Sequence, residues 1–117
     1  MKILITQNHS VLEIQTIRGL KLISVNKILF IKAFNKGSIM LLNDSEEVET
    51  KSLLGIFTKY LPSPYFFRCH YSYLVNCTYV DCFTNDQIVL KGNLRIPLSR
   101  YRIKHFKQNL VELQQND

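Results

Sequence analysis

Three histidines, three cysteines and nine acidic residues are the groups in this 117-residue chain that could carry catalysis or hold a metal. Their spacing argues against both. His9, His70 and His105 are far apart and lack the i, i+4 spacing that sets two ligands on one helix face. Cys69 and His70 are adjacent, and neighbours on a strand point to opposite faces, so they do not pair as nucleophile and base. Cys69 reads instead as a small buried hydrophobe. Asp44, Glu46, Glu47 and Glu49 cluster without EF-hand spacing and read as a solvated turn. The four glycines form no phosphate-cradling pattern. No enzymatic activity, metal or cofactor is expected.

The cations suggest a different chemistry. The formal charge is +6 and the sequence pI about 9.3. Residues 62 to 111 hold seven Lys or Arg (Arg68, Lys91, Arg95, Arg100, Arg102, Lys104, Lys107) against Asp81 and Asp86, a net of +5. Such a surplus suits a polyanion, through phosphate neutralisation and counterion release. With an acidic patch at residues 44 to 49, the charge is dipolar, which favours one binding face over a uniform solubility charge. The bland alternative is that Arg100, Arg102, Lys104 and Lys107 form an ordinary solvated helix face.

The elements that must position these groups are mostly strands. Hydrophobic residues make up 46% of the chain and charged residues 21%, a globular composition long enough for one core. Strands are expected at Val11–Ile17, Leu20–Val25, Ile28–Phe34, Ser38–Leu42, Glu47–Thr50, Phe66–Cys69, Tyr73–Val75, Thr78–Phe83, Gln87–Lys91 and Leu94–Leu98. Asn35-Lys36-Gly37 reads as a hairpin turn in which Gly37 takes the positive φ. A first helix is expected over Ser52–Leu61, with Leu53, Ile56, Phe57, Tyr60 and Leu61 as its apolar stripe and Thr50 or Ser52 as cap. A second is expected over Arg100–Leu113, capped by the Ser99 hydroxyl, with Ile103, Phe106, Leu110 and Leu113 facing the core.

Phe66-Phe67-Arg68-Cys69-His70-Tyr71-Ser72-Tyr73-Leu74-Val75-Asn76 and, about twenty residues on, Ile96-Pro97-Leu98-Ser99-Arg100 together resemble the signature of the LytTR family of bacterial transcription regulators. The match is specific at Phe67, Arg68, His70, Ser72 to Asn76, Ile96, Pro97, Ser99 and Arg100, and extends more weakly from about Ile17 to Leu110. The resemblance implies a mainly β protein, a small elongated antiparallel fold of about ten short strands with one or two short helices. It implies sequence-specific binding to double-stranded DNA, with loops on one edge entering successive major grooves. Mapped by motif, the contacts fall on the hairpin Asn35, Lys36 and Ser38, on Arg68 and the turn His70, Tyr71 and Ser72, and on Arg100, Tyr101, Arg102 and Lys104. The turn requires the strand to break near His70–Ser72; a purely structural role for His70, holding that turn, stands beside the DNA-facing one. Asn76 reads as a turn-holding side chain.

The chain also departs from the family. Tyr71 stands where relatives often carry Arg, Lys or Asn, and Tyr101 stands at a second position that supplies a base contact in relatives. A tyrosine can hydrogen-bond through its hydroxyl or pack on a thymine methyl or a sugar, but it brings no charge. The family also suggests paired direct repeats as target and, outside this chain, a receiver domain, a histidine-kinase pathway or a membrane inhibitor. We expect a single domain over 1–117 with its core at about 17–113, an extra strand or flexible head at 1–10, a fraying tail at 114–117, and a cytoplasmic location. A protein-interaction module is the first rival reading and an RNA binder the second; the latter needs aromatics standing free on a sheet face.

Overall fold

The computed structural model describes residues 2–5 and 10–115. Eleven strands and two helices follow in the order β1 (Lys2–Ile5), β2 (Ser10–Thr16), β3 (Gly19–Ser24), β4 (Ile28–Phe34), β5 (Gly37–Leu42), β6 (Glu47–Thr50), α1 (Leu54–Tyr60), β7 (Phe66–His70), β8 (Tyr73–Asn76), β9 (Val80–Phe83), β10 (Gln87–Leu90), β11 (Leu94–Pro97) and α2 (Ile103–Gln115). All pairings are antiparallel. They make an N-terminal sheet β1-β2-β3, a central sheet β6-β5-β4-β8-β7 and a C-terminal sheet β9-β10-β11.

The middle of the central sheet is buried on both faces, which explains the apolar runs of β4 and β5, whereas its edge strand β6 alternates exposed and buried residues. Ile31 and Leu74 face one core with Leu12, Ile14, Met40 and Phe57. Their neighbours Phe30 and Val75 face a second core with Ile88, Leu90, Ile96 and Phe106. The N-terminal sheet and α1 cover the first face, and the C-terminal sheet and α2 cover the second. Strand β2, in the middle of the N-terminal sheet, keeps the alternation of a half-exposed sheet: Leu12 and Ile14 are buried while Gln15 is exposed.

Helix α1 is shorter than expected and turned differently. Its buried residues are Leu54 and Phe57, with Leu61 just beyond, whereas Leu53 is 59% and Tyr60 44% exposed. A helix of barely two turns cannot bury five apolar side chains. Docking of Phe57 into the first core sets the face, and Leu53 falls outside as the N-cap residue. No side chain caps this helix; Thr50 instead accepts from the Ser52 N–H at 3.3 Å and donates to the Gln15 carbonyl at 3.1 Å, tying β6 to β2.

Asn76 does hold a turn. It is buried, its Nδ2 donates to the Ile28 carbonyl at 2.8 Å, and its Oδ1 accepts from the Thr78 N–H at 3.1 Å and the Thr78 hydroxyl at 2.8 Å. In α2 the expected stripe docks as read, Phe106 and Leu113 fully and Ile103 and Leu110 in part. Asn109 joins them as a buried polar residue whose Nδ2 donates to the Pro64 carbonyl at 2.7 Å. Among the described residues, no helix is long and apolar enough to cross a membrane.

Candidate nucleic-acid interface

Three turns meet along one edge of the molecule. The first joins β4 to β5. Asn35 and Lys36 carry φ of 47° and 60°, the pair of left-handed residues that a two-residue hairpin turn needs to match strand twist. The positive φ therefore lies at Asn35 and Lys36, not at the expected Gly37. Glycine is required at 37 for another reason: a Cβ there would collide with the Thr50 carbonyl and the Lys51 backbone. Both tip residues are exposed. Ser38 is not part of the surface. It is fully buried and its hydroxyl donates to the Ser52 carbonyl at 2.7 Å, because strand alternation turns it inward toward the end of β6.

The second turn, Tyr71–Ser72, joins β7 to β8, and the ladder shifts register between Arg68 and His70, so the strand breaks where the motif requires. Arg68 holds this turn from below. Its Nε lies 3.2 Å from the His70 and Tyr71 carbonyls, and its Nη2 also donates to the Tyr71 carbonyl. His70 Nδ1 accepts the Ser72 N–H at 3.1 Å, which leaves Nε2 as the donor of the ring. The imidazole also lies edge-on to Tyr73, with centroids 5.9 Å apart. His70 thus supports the turn, and Tyr71, 80% exposed, forms its tip.

The third segment follows β11. Arg100–Arg102 make one 3-10 turn that leads into α2. The Ser99 hydroxyl makes no cap bond, contrary to expectation; the tighter turn is closed instead by the Arg102 N–H on the Ser99 carbonyl at 2.9 Å. Arg100, Tyr101, Arg102 and Lys104 are all exposed, and the Arg100 guanidinium lies 5.5 Å from the Tyr101 ring centroid.

The middle turn ties the other two together. The Ala33 N–H donates to the Ser72 carbonyl at 2.9 Å, the Ser99 N–H to the Cys69 carbonyl at 2.8 Å, and Arg102 Nη1 to the Arg68 carbonyl at 3.3 Å. An open groove of about 430 Å³ between the hairpin tip and the middle turn is lined by Phe34, Lys36, Leu53, Arg68 and Tyr71 among others. Phe34 and Leu53 escape a reading of the sequence, as does Lys51, which the close approach at Gly37 brings beside the hairpin. Lys51 follows the acidic run, so only the register of β5 on β6 reveals its place.

Among the described residues, the cations of this edge form no direct ion pair. Burial, and then the nearby Arg102 charge, pulls the Arg68 pKa below its ordinary value. Among the described residues, the one ion pair is Lys21–Glu46 at 2.7 Å, between β3 and the β5–β6 turn. No carboxylate there pairs with Lys36, Arg68, Arg100, Arg102 or Lys104. Cationic forks and point charges set on turns, without internal counterions, can hold phosphates and base edges. Below them, burial pushes the Cys69 and Cys77 thiols up to about 12, so both stay protonated and unreactive near neutral pH.

Comparison with known proteins shows the family and the fold. The family model described as the LytTr DNA-binding domain matches residues 18–111. The chain belongs to the LytTr DNA-binding domain family. It is also 30% identical over 90 residues to the transcriptional regulatory protein YpdB of Escherichia coli O6:H1, covering 72% of this chain and 36% of that protein. The chain thus spans about a third of the length of this curated relative. A solved LytTr DNA-binding domain from Bacillus cereus, belonging to a protein described as a methyl-accepting/DNA response regulator, superposes with a TM-score of 0.74. That likeness covers 86% of this chain and 95% of the other at 23% identity, and it confirms the mainly β LytTr fold.

Proposed function

We propose that this LytTr domain is the sequence-reading part of a transcription regulator, acting on double-stranded DNA in the cytoplasm and on paired direct repeats. The Asn35–Lys36 hairpin, the His70–Ser72 turn and the Arg100–Lys104 segment enter successive major grooves on one face of the duplex. The observation that carries this reading is the edge of unpaired cations, with Arg68 and Arg102 held close together and no carboxylate between them. Size supports it too. The molecule extends 39 × 34 × 25 Å, and major grooves on one face recur about every 34 Å, so its longest dimensions match the spacing of two grooves. Lys36, Arg100, Arg102 and Lys104 bind phosphates, with discrimination at Tyr71 and at Arg100 or Tyr101; Arg68 and His70 serve by shaping the turn. A receiver domain, a histidine-kinase pathway or a membrane inhibitor supplies the control.

Selection from random duplexes at two salt concentrations tests the proposal. The expected result is one enriched motif whose affinity falls with salt by a slope of about −0.9 per phosphate contacted. A pool without a motif sinks sequence-specific reading, and an affinity indifferent to salt sinks the electrostatic account.

A protein-interaction role is favoured by one separate observation. Among the described residues, strand β3 lies at the edge of its sheet and pairs only with β2, and Leu20 and Leu22, 66% and 61% exposed, lie near Ile17 at 93%. Exposed apolar side chains on an open strand edge suit a protein partner. Replacing both leucines by serine leaves DNA affinity unchanged in the leading reading and abolishes partner capture in this one.

A further inference from the structure

We infer that Tyr71 and Tyr101 select thymine through its 5-methyl group, so that the two rings are specificity-determining residues; this rests on the DNA reading above. Both rings stand out for what they do not touch. Tyr71 is 80% and Tyr101 81% exposed, whereas Tyr73, two residues along the same hairpin, packs on Phe30 and His70. Neither exposed ring contributes much to a core, yet the backbone beneath each is tightly held. The Arg68 guanidinium binds the Tyr71 carbonyl, and the turn carrying Tyr101 is closed by the Arg102 N–H on the Ser99 carbonyl and anchored to β7 by the bonds of Ser99 to Cys69 and of Arg102 to Arg68. Arg100 adds a cation stacked on the Tyr101 ring, restricting it further.

Two mostly apolar rings are therefore presented on rigid turns at the tips of a cationic edge. In the major groove of DNA, the apolar feature that distinguishes one base pair from another is the thymine methyl. The exposed Lys and Arg side chains of this edge supply charge and hydrogen-bond donors. The rings supply what those cannot, a surface that gains by excluding water from a methyl. Discrimination then favours thymine over cytosine and over uracil at two positions of the site.

The duplex enriched from the random pool is the probe. Each thymine is replaced in turn by deoxyuridine, which removes the methyl and leaves every hydrogen-bonding group of the base in place. Burying one methyl is worth a factor of about four in affinity, so a loss of about that size is expected at one thymine for each ring. Tyr71→Ala removes the sensitivity at one position and Tyr101→Ala at the other, while Tyr71→Phe and Tyr101→Phe retain it. Thermal melts of the variants confirm that they fold; both side chains are exposed, so little change is expected. An enriched site without thymine, or one bound equally well with deoxyuridine throughout, overturns this inference alone. So do Phe variants that lose as much as the Ala variants, since that result assigns the hydroxyls to phosphate. A pool that yields no motif overturns the DNA reading and this inference with it.

Discussion

Arg100 and Lys104 lie four residues apart, and different physics governs what each contributes. A guanidinium can make two parallel bonds to a guanine edge, whereas an ammonium acts as a point charge on a phosphate. Arg100→Ala is expected to cost about 1–3 kcal/mol on the selected duplex and to relax preference at one base pair. Titration against single-base variants of that duplex checks it, and a uniform loss across all variants would reassign Arg100 to the backbone. Lys104→Ala is expected to weaken every duplex alike and to reduce the salt slope by about 1; a sequence-dependent loss would contradict this. Arg68 belongs to neither class. The motif maps it to DNA, but its fork is spent on the carbonyls of the turn and its chemistry points inward.

At the scale of elements, the hairpins and the turns between them were largely legible, because period-two alternation and turn chemistry are local. The β4–β5 turn shows the limit of that reading. Gly37 drew the positive φ in the sequence because glycine tolerates it, yet Asn35 and Lys36 adopt it and Gly37 makes room for the end of β6. Close approach of a strand distant in sequence leaves no local signal. Helix α1 failed similarly, since its apolar residues outnumber what two turns can bury and only the docked core selects Leu54 and Phe57. Asn76 is the polar residue on which the joint between β4 and β8 depends. Asn76→Ala strips the Ile28 carbonyl and the Thr78 N–H of their partner, and a loss of about 1–3 kcal/mol is expected. Urea unfolding should show a lower midpoint with an unchanged m-value; an unmoved midpoint would show that water replaces the side chain freely.

For the whole molecule, the second core makes stability depend on alkaline pH. Burial raises the Cys69 and Cys77 pKa from the ordinary 9.0 to about 12. Between those limits the unfolded chain has released protons that the folded chain keeps, so unfolding becomes easier as pH rises. The contribution is fully present below about pH 9 and is lost progressively toward about 12, at up to about 1.4 kcal/mol per pH unit for each thiol. Denaturant unfolding between pH 8 and about 11 is expected to show a steeper fall for the natural chain than for a Cys69→Ala, Cys77→Ala chain. Equal slopes would show that neither thiol is shielded.

From the sequence alone came the strand-rich class, the absence of catalytic spacing, the basic surplus and the two motif segments that name the family. Each of these depends on neighbours a few residues apart or on simple counts. The tertiary structure decided the sidedness of the site. It removed Ser38 from the surface, turned Arg68 and His70 to supporting the middle turn, added Lys51 and Phe34 beside the hairpin, and left Tyr71 and Tyr101 standing free. The roles of Arg68 and His70 rest on bonds to residues two or three away once the strand breaks. The burial of Ser38 and the place of Lys51 depend instead on strand register. The meeting of the three turns depends on backbone bonds between residues about thirty to forty apart, such as Ala33 to Ser72 and Ser99 to Cys69. Contacts of that kind follow from how three sheets stack on two cores, which no local pattern encodes.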